Sequence, residues 1–187
     1  LSEAQEFIEE IDAIVVKPLG LTGGKGVRVS GTQLDDTAET MAYIETLLET
    51  DGTVLLEEKV IGEEFSRMAF VSDGVVAPVP LMQDFKYAYD GDTGLMTGGM
   101  GAYSMADGGL PFLMPSDYEQ ADRLLKETVL ALEVETGEPY RGFLYGQFMA
   151  AREGIRVIEY NVRLGDPEAL NLMAILESDA APLLLSI

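Results

Sequence analysis

The sequence predicts an α+β fold: short apolar and β-branched runs fall in pairs around turns, separate stretches carry helical periodicity, and nothing repeats internally. Residues 1–12 read as the end of an amphipathic helix with Phe7, Ile8 and Ile11 inward. Ala13-Ile14-Val15-Val16, ending at Lys17-Pro18, reads as a strand, and residues 27–30 as a second strand across a glycine-dense loop at 20–26. Residues 35–50 predict a helix capped by Asp35 or Asp36, with Met41, Ile44 and Leu48 on one stripe. A strand over 53–56 runs into Glu57-Glu58-Lys59, and residues 64–80 predict one or two more strands with a turn at Ser72-Asp73-Gly74. Residues 83–115, rich in Gly, Asp and Pro, read as a long loop, functional or disordered, whose Gly98-Gly99-Met100-Gly101 cluster calls for close backbone approach. Ser116 is expected to cap a helix, with Glu119 completing a capping box and Gly137 ending it. Residues 142–150 and 156–164 read as adjacent strands around Arg152-Glu153-Gly154. A last helix is expected from Asp166-Pro167 to about Ser178.

The length, 187 residues, suffices for one substantial domain or for two small lobes. The chain opens on Leu1 and stops just after Leu183-Leu184-Leu185, so it reads as a segment of a longer protein. Twelve Lys and Arg against 33 Asp and Glu give a formal net charge of −21. Such a charge repels nucleic acid and anionic membrane, so neither is an expected partner, and any anionic ligand requires a local cationic pocket. The acid excess also suits a protein working at high salt. The absence of Cys and His excludes disulfides, thiolate and imidazole metal sites, cysteine nucleophiles and histidine-based triads. Chemistry must then run on carboxylates, amides, hydroxyls, backbone amides and a few cations. No apolar run reaches the roughly 18 residues of a membrane span and no signal-peptide pattern begins the chain, which predicts a soluble, cytoplasmic protein.

Three segments carry chemistry. In residues 157–164, period-two alternation puts Ile158, Tyr160, Val162 and Leu164 on one face and Glu159, Asn161 and Arg163 on the other. A carboxylate and an amide oxygen two residues apart suit a hard, oxygen-seeking cation such as Mg²⁺, and Arg163 beside them offers a fork for a phosphoryl or carboxylate group. The same pattern suits a strand whose polar residues merely stay wet. Next, Gly165-Asp166-Pro167-Glu168 reads as a helix start with Asp166 as cap, and a helix N-terminus also favours anions. Second comes the loop at 20–26, which is not a Walker loop because Gly26 follows Lys25. Two of the five lysines, Lys17 and Lys25, flank or lie in it, and its glycines let backbone amides approach phosphate oxygens. An ordinary hairpin turn is the competing reading. Third, residues 55–64 read as a hinge against which a purine can lie while a carboxylate holds ribose hydroxyls.

Taken together, Lys17, the glycine loop, Glu57-Glu58, Gly62-Glu63-Glu64 and Glu159-x-Asn161 resemble the ATP-grasp domain. Five segments in colinear order over about residues 14–180 are similar to the phosphoribosylamine–glycine ligase (glycinamide ribonucleotide synthetase) family. These are residues 15–26, Gln83-Asp84-x-Lys86, residues 91–104, Leu144-Tyr145, and Arg163-Leu164-Gly165-Asp166-Pro167-Glu168. Pro18-Leu19 and Ala169-Leu170-Asn171 look more like its archaeal branch. The resemblance implies two lobes with antiparallel sheets clasping ATP, a small one at 13–60 and a larger one at 61–187. It implies nucleotide contacts from Lys17, Gly23, Gly24, Lys25, Gly26, Glu57, Glu58, Lys59, Val60 and Glu64, and a Mg²⁺ or Mn²⁺ site at Glu159 and Asn161. Substrate contacts would come from Asp84, Lys86, Asp92, Gly98, Gly99, Gly101, Arg163 and Asp166, with Arg163 and Lys25 catalytic. The implied reaction couples glycine to 5-phosphoribosylamine through glycyl phosphate, with ATP cleavage, in purine biosynthesis.

The chain departs from that family at Phe85, Tyr87 and Leu95-Met96. Two alternatives follow: another ATP-grasp carboxylate–amine ligase with a different acceptor, or a non-catalytic nucleotide-binding module.

Overall fold

A computed structural model describes residues 1–20 and 26–187. The chain divides into two units, Leu1–Val60 with Met96–Gly98, and Ile61–Leu95 with Gly99–Ile187. The first unit holds α1 (Ser2–Glu10), β1 (Ile14–Pro18), β2 (Arg28–Val29), α2 (Thr37–Asp51) and β3 (Val54–Glu58). Its sheet has the order β2-β1-β3 and is antiparallel throughout. β1 lies in the middle, so its β-branched Ile14 and Val16 are buried, packing with Ala4, Leu34, Ile44 and Leu47. Asp36 caps α2, accepting from the Glu39 N–H at 2.8 Å, while the Glu39 carboxylate accepts from the Asp35 N–H at 2.8 Å.

The second unit is built on a sheet of order β5-β4-β8-β9, from β4 (Gly62–Ser72), β5 (Val75–Pro78), β8 (Gly142–Ala151) and β9 (Gly154–Asn161). Its register sorts the side chains, because directly paired residues point to the same face. Phe65 pairs with Phe148 and Ala69 with Leu144, and this first face packs against α3 (Pro115–Thr136) through Ala121, Leu125 and Val129. Arg67 fixes the helix there, its guanidinium forked onto Asp122 at 2.7 and 3.0 Å. On the second face Met68 pairs with Tyr145 and Phe70 with Phe143. This end of the face is covered by Leu172 of α4 (Glu168–Ile175) and by Leu183, within α5 (Ala180–Leu185). Its other end carries Glu64, Ser66 and Gln147.

β9 contains one residue more than its partner between the pairs Phe148–Val157 and Gln147–Glu159, and that residue is Ile158. Such a bulge exchanges the faces of everything beyond it. Ile155 and Val157 belong to the first face; after Ile158, Glu159 and Asn161 fall on the second, opposite Gln147 and Tyr145, while Tyr160 returns to the first face against Phe148. The uninterrupted alternation expected from the sequence is therefore broken. Val162, expected in the core, is 70% exposed because pairing ends at Asn161, and Leu164 packs on the second face rather than with Tyr160.

Three further expectations are corrected. Residues 83–115 are not a long loop: β6 (Gln83–Tyr89) and β7 (Thr93–Tyr103) form a two-stranded sheet joined at Asp90-Gly91-Asp92. The glycines that weaken a strand signal do not prevent backbone pairing. The helix α3 begins at Pro115, one residue ahead of Ser116, and the carboxylate accepting from the N-terminal N–H is that of Asp117, on Met114 at 2.8 Å, in place of Glu119. Asp166 does not cap α4. That helix begins at Glu168, after Pro167, with the Ala169 N–H donating to the Gly165 carbonyl at 2.9 Å, and it ends at Ile175; Asp179 then caps α5.

The start of α4 is closely packed. A methyl group on Gly165 would collide with Glu168 Oε2 and stand 2.7 Å from the Tyr145 ring, and one on Gly99 would stand 2.7 Å from Pro167. The expected close approach in the glycine cluster is thus made at Gly99, where the backbone also takes φ +145°. The Asn171 side chain ties the same segments together, donating to the Ala102 carbonyl at 3.2 Å. Gly165→Ala should accordingly destabilise the fold by about 1–3 kcal/mol in urea unfolding, the usual cost of overpacking. Gly98→Ala, whose added carbon meets nothing within 4 Å, should leave the midpoint nearly unchanged; equal midpoints for the two variants would contradict this packing.

Candidate functional site

The second face of the larger sheet gathers polar groups from three strands. The bulge at Ile158 brings Glu159 and Asn161 onto this face, where they stand side by side, the Asn161 Nδ2 donating to Glu159 Oε1 at 2.9 Å. Gln147 lies directly across from Glu159, and Ser66 directly across from Gln147. Among the described residues there is no cluster of three or more Asp, Glu, His or Cys able to hold a metal. One exposed carboxylate beside one amide fits a cation that takes few protein ligands and completes its shell with water and phosphate, as Mg²⁺ does.

Next to this row is a partly buried ionic knot. Lys86 Nζ lies 2.6 Å from Glu64 Oε1 and 3.4 Å from Asp84 Oδ2. Gln147 Nε2 donates to Glu64 Oε1 at 2.8 Å and to Asp84 Oδ1 at 3.4 Å. Gln83 donates to the Glu64 carbonyl at 3.1 Å and accepts from the Tyr103 hydroxyl at 2.8 Å, so the β6–β7 ribbon is pinned onto β4. Burial by itself lowers the Lys86 pKa, but the charges and hydrogen bonds of Glu64 and Asp84 together outweigh it and raise the pKa above its ordinary value. Behind Gln147, the Tyr145 hydroxyl touches both Gln147 Oε1 and, at 2.8 Å, Glu168 Oε1. Burial, then the charge of Glu168, pushes the Tyr145 phenol well above its usual range.

The residues singled out from the sequence are thus only partly brought together. Glu64, Asp84 and Lys86 meet in one knot, with Glu159 and Asn161 on the same sheet face as Glu64. Arg163 does not share that strand face: it lies beyond the last paired residue, exposed, with its guanidinium donating to the Leu164 carbonyl at 3.0 Å. Asp166 is exposed ahead of α4, and Asp92 sits in the β6–β7 turn with φ 54°, at the far end of β6 from Asp84. Gly98 and Gly101 face open space within 4 Å, and Gly99 backs onto Pro167. Phe85, half-exposed beside Asp84, stacks on Tyr103 with ring centres 5.9 Å apart. In the smaller unit, Lys17 pairs with Glu57 at 2.6 Å, and the Gly26 carbonyl accepts from the Tyr43 hydroxyl at 2.7 Å. Glu58 is exposed, Lys59 donates through its backbone to Ala13 at 2.8 Å, and Val60 is half-buried at the end of the unit. Gly23, Gly24 and Lys25 lie outside the described residues.

Sequence reasoning missed Gln147, Tyr145 and Glu168 as members of the site. A signal was present for two of them: in the strand at 142–150, alternation sets Tyr145 and Gln147 opposite Leu144 and Phe148, on a face that needs polar partners. Removing the cation at the centre leaves the Asp84 carboxylate, only 4% exposed, without its ion pair. Lys86→Met should therefore lower unfolding stability by on the order of 3 kcal/mol. Since the folded pKa is the raised one, the stability Lys86 contributes is complete below the ordinary lysine value and is lost as pH rises through the raised folded value. A side-chain NMR titration should accordingly show Lys86 losing its proton above the ordinary lysine value; a Lys86 that titrates at that ordinary value would refute the knot.

Comparison with known proteins places this geometry. Residues 1–169 match the family model for the phosphoribosylglycinamide synthetase ATP-grasp (A) domain. The chain is 50% identical to the phosphoribosylamine–glycine ligase of Methanopyrus kandleri over 99% of its own length and 42% of the relative's. It is 51% identical to that of Thermococcus kodakarensis over 95% and 41%. It thus spans about two-fifths of the length of these relatives. The solved Thermotoga maritima phosphoribosylamine–glycine ligase superposes with a TM-score of 0.72 at 34% identity, covering 89% of this chain and 42% of that one. The D-alanine–D-alanine ligase of Bacillus anthracis shares the fold at a TM-score of 0.68 and 18% identity, over 97% and 56%. The α+β architecture with antiparallel sheets is that of ATP-grasp proteins, and the chain belongs to the phosphoribosylglycinamide synthetase ATP-grasp (A) domain family.

Proposed function

We propose that this chain is the nucleotide-binding part of a cytoplasmic ligase of purine biosynthesis, which couples glycine to 5-phosphoribosylamine and cleaves ATP to ADP and phosphate. The observation that carries the reading is the row Glu64, Gln147, Glu159 and Asn161 on one sheet face, in a chain half identical to phosphoribosylamine–glycine ligases. Residues 13–60 make the lobe with the glycine-rich loop, and residues 61–187 the lobe with the metal pair.

Lys17, Lys25 and the backbone amides of Gly23, Gly24 and Gly26 contact the nucleotide phosphates. The stretch Glu57-Glu58-Lys59-Val60 receives the adenine, and the Glu64 carboxylate accepts from ribose hydroxyls. Glu159 and Asn161 hold Mg²⁺ or Mn²⁺, which supplies charge neutralisation at the phosphates. A glycine carboxylate oxygen attacks the γ-phosphorus, the bond to the β–γ bridging oxygen breaks, and ADP leaves with that electron pair. The product, glycyl phosphate, is attacked at its acyl carbon by the phosphoribosylamine nitrogen; the acyl C–O bond breaks, phosphate departs, and the amine proton passes to solvent. Arg163 and Lys25 bind the transferred phosphoryl oxygens. Asp84, Lys86 and Asp92 face the acceptor, as do Gly98, Gly99, Gly101 and Asp166 along the ribbon and the α4 entrance. Because Lys86 is paired with two carboxylates, its surroundings suit hydroxyl and ammonium groups better than phosphate. Phosphoryl transfer depends on positioning and charge neutralisation, so a chain without His or Cys is equipped for it. Nucleic acid and membrane have no part in this reading.

Phe85, stacked on Tyr103 beside Asp84 and Lys86, favours one second reading, the same chemistry on a different amine acceptor. Phosphate release measured across amines and amino acids separates the two: stimulation by glycine and phosphoribosylamine supports the first, and stimulation by another pair alone the second. Glu159→Gln should reduce metal-dependent turnover by at least the roughly 10–100-fold that a lost supporting group costs a metal site, with partial recovery at high Mg²⁺. Full activity in that variant at low Mg²⁺ would remove the metal assignment.

A further inference from the structure

Gln147, Glu168 and Tyr145 are 1%, 1% and 6% exposed, and the reaction as described uses none of them. Their hydrogen bonds are countable. The Gln147 amide directs Nε2 at two carboxylates, Glu64 at 2.8 Å and Asp84 at 3.4 Å. Turned round, the amide would set Oε1 against both carboxylates, so its orientation is fixed. Oε1 therefore faces the Tyr145 hydroxyl, which must donate to it. A phenol carries one proton, and the same hydroxyl stands 2.8 Å from Glu168 Oε1. The hydroxyl thus stands between the Gln147 amide and the Glu168 carboxylate, with one proton for two acceptors. Nothing in this run is slack: Gly165 closes over Glu168 and the Tyr145 ring so tightly that an added methyl group would collide with both.

We propose that Glu168 and Tyr145 are positioning residues that, by orienting the Gln147 amide, hold Glu64 and Asp84 in place for the bound nucleotide and acceptor. The run links the start of α4 to the Lys86 knot by hydrogen bonds alone, Glu168 to Tyr145 to Gln147 to the two carboxylates. Burial and the neighbouring carboxylates keep the Tyr145 phenol protonated, as the first donor in the run must be. The inference rests on the reading of Glu64 as a nucleotide contact.

The test is Mg-ATP binding by calorimetry in the intact protein, with the thermal unfolding midpoint measured on each variant. Tyr145→Phe keeps the ring and removes only the hydroxyl; it should weaken Mg-ATP binding about tenfold with little change in midpoint. Glu168→Gln keeps a side-chain oxygen that can accept from the Tyr145 hydroxyl, so it should bind within about twofold of the unsubstituted protein, whereas Glu168→Leu should match Tyr145→Phe. Purely structural residues would show loss in the midpoint rather than in binding, and the amide would not rescue position 168. Unchanged binding in Tyr145→Phe, or equal loss in Glu168→Gln and Glu168→Leu, would overturn the proposal. Should Tyr145→Phe fail to fold, the two Glu168 variants decide. If the unsubstituted protein binds Mg-ATP but releases no phosphate with glycine and phosphoribosylamine, the ligase reading fails while this comparison, which reads binding alone, still stands.

Discussion

Strand side chains alternate, so a sheet covered by a helix on one face can collect polar groups only on the other, and in β9 a single extra residue decides which groups those are. Up to Val157 the odd-numbered residues face α3; beyond Ile158 they face away from it. Without the bulge Glu159 and Asn161 would be driven into the layer formed by Phe65, Leu125 and Phe148, where a carboxylate has no partner. With it they meet Gln147 and Tyr145 across the β8–β9 ladder. The site therefore depends on the backbone before it depends on any side chain.

That arrangement also explains how so acidic a chain buries charge. Asp84 and Glu168 are drawn inward and Glu64 is half-buried beside them, and donors from neighbouring elements meet them: Lys86 from β6, Gln147 and Tyr145 from β8. Among the described residues no buried side-chain nitrogen or oxygen lacks a hydrogen-bond partner. A half-satisfied network of this kind would be worse than an apolar core, so its completeness ties the position of the ribbon, the sheet and the α4 entrance to one another. Scarce cations matter for the same reason. In a chain of net charge −21, Lys17 and Lys86 are engaged by Glu57, Glu64 and Asp84 in the protein as it stands.

The sequence was most legible where periodicity was strong and local. The central strand at Ile14–Val16, the α2 cap at Asp36 and the closing glycine at 137 follow from neighbouring residues and occur as expected. The β6–β7 ribbon was illegible because its glycines erase the strand signal, while the pairing that makes it a strand comes from elsewhere in the chain. The bulge was equally hidden. Residues 157–164 alternate cleanly in sequence, and only the register against β8 reveals that Ile158 is extra and that Val162 lies outside the sheet. Asp166 looked like a cap because of its residue type and its proline, yet the helix begins two residues later. The candidate site was half legible. Alternation set Glu159 and Asn161 together and opposite Tyr160, as the register does, but it extended wrongly back through Ile158 and on to Arg163. Glu64, Asp84 and Lys86 were singled out by resemblance, whereas Gln147 and Glu168 acquire meaning only through contacts 83 and 23 residues away in sequence.

The central claim is that Glu159, Asn161 and Gln147 share the face that receives the metal–nucleotide complex. Paramagnetic broadening by Mn²⁺ with ATP tests it directly, because the side-chain amides of Asn161 and Gln147 lie on that face and the amide of Gln120, bonded to Ile155 under α3, lies on the other. Titrated with Mn²⁺ and ATP, the NH₂ signals of Asn161 and Gln147 should broaden at the lowest metal concentrations while those of Gln120 persist. Broadening of Gln120 together with them, or Asn161 surviving to high Mn²⁺, would contradict it.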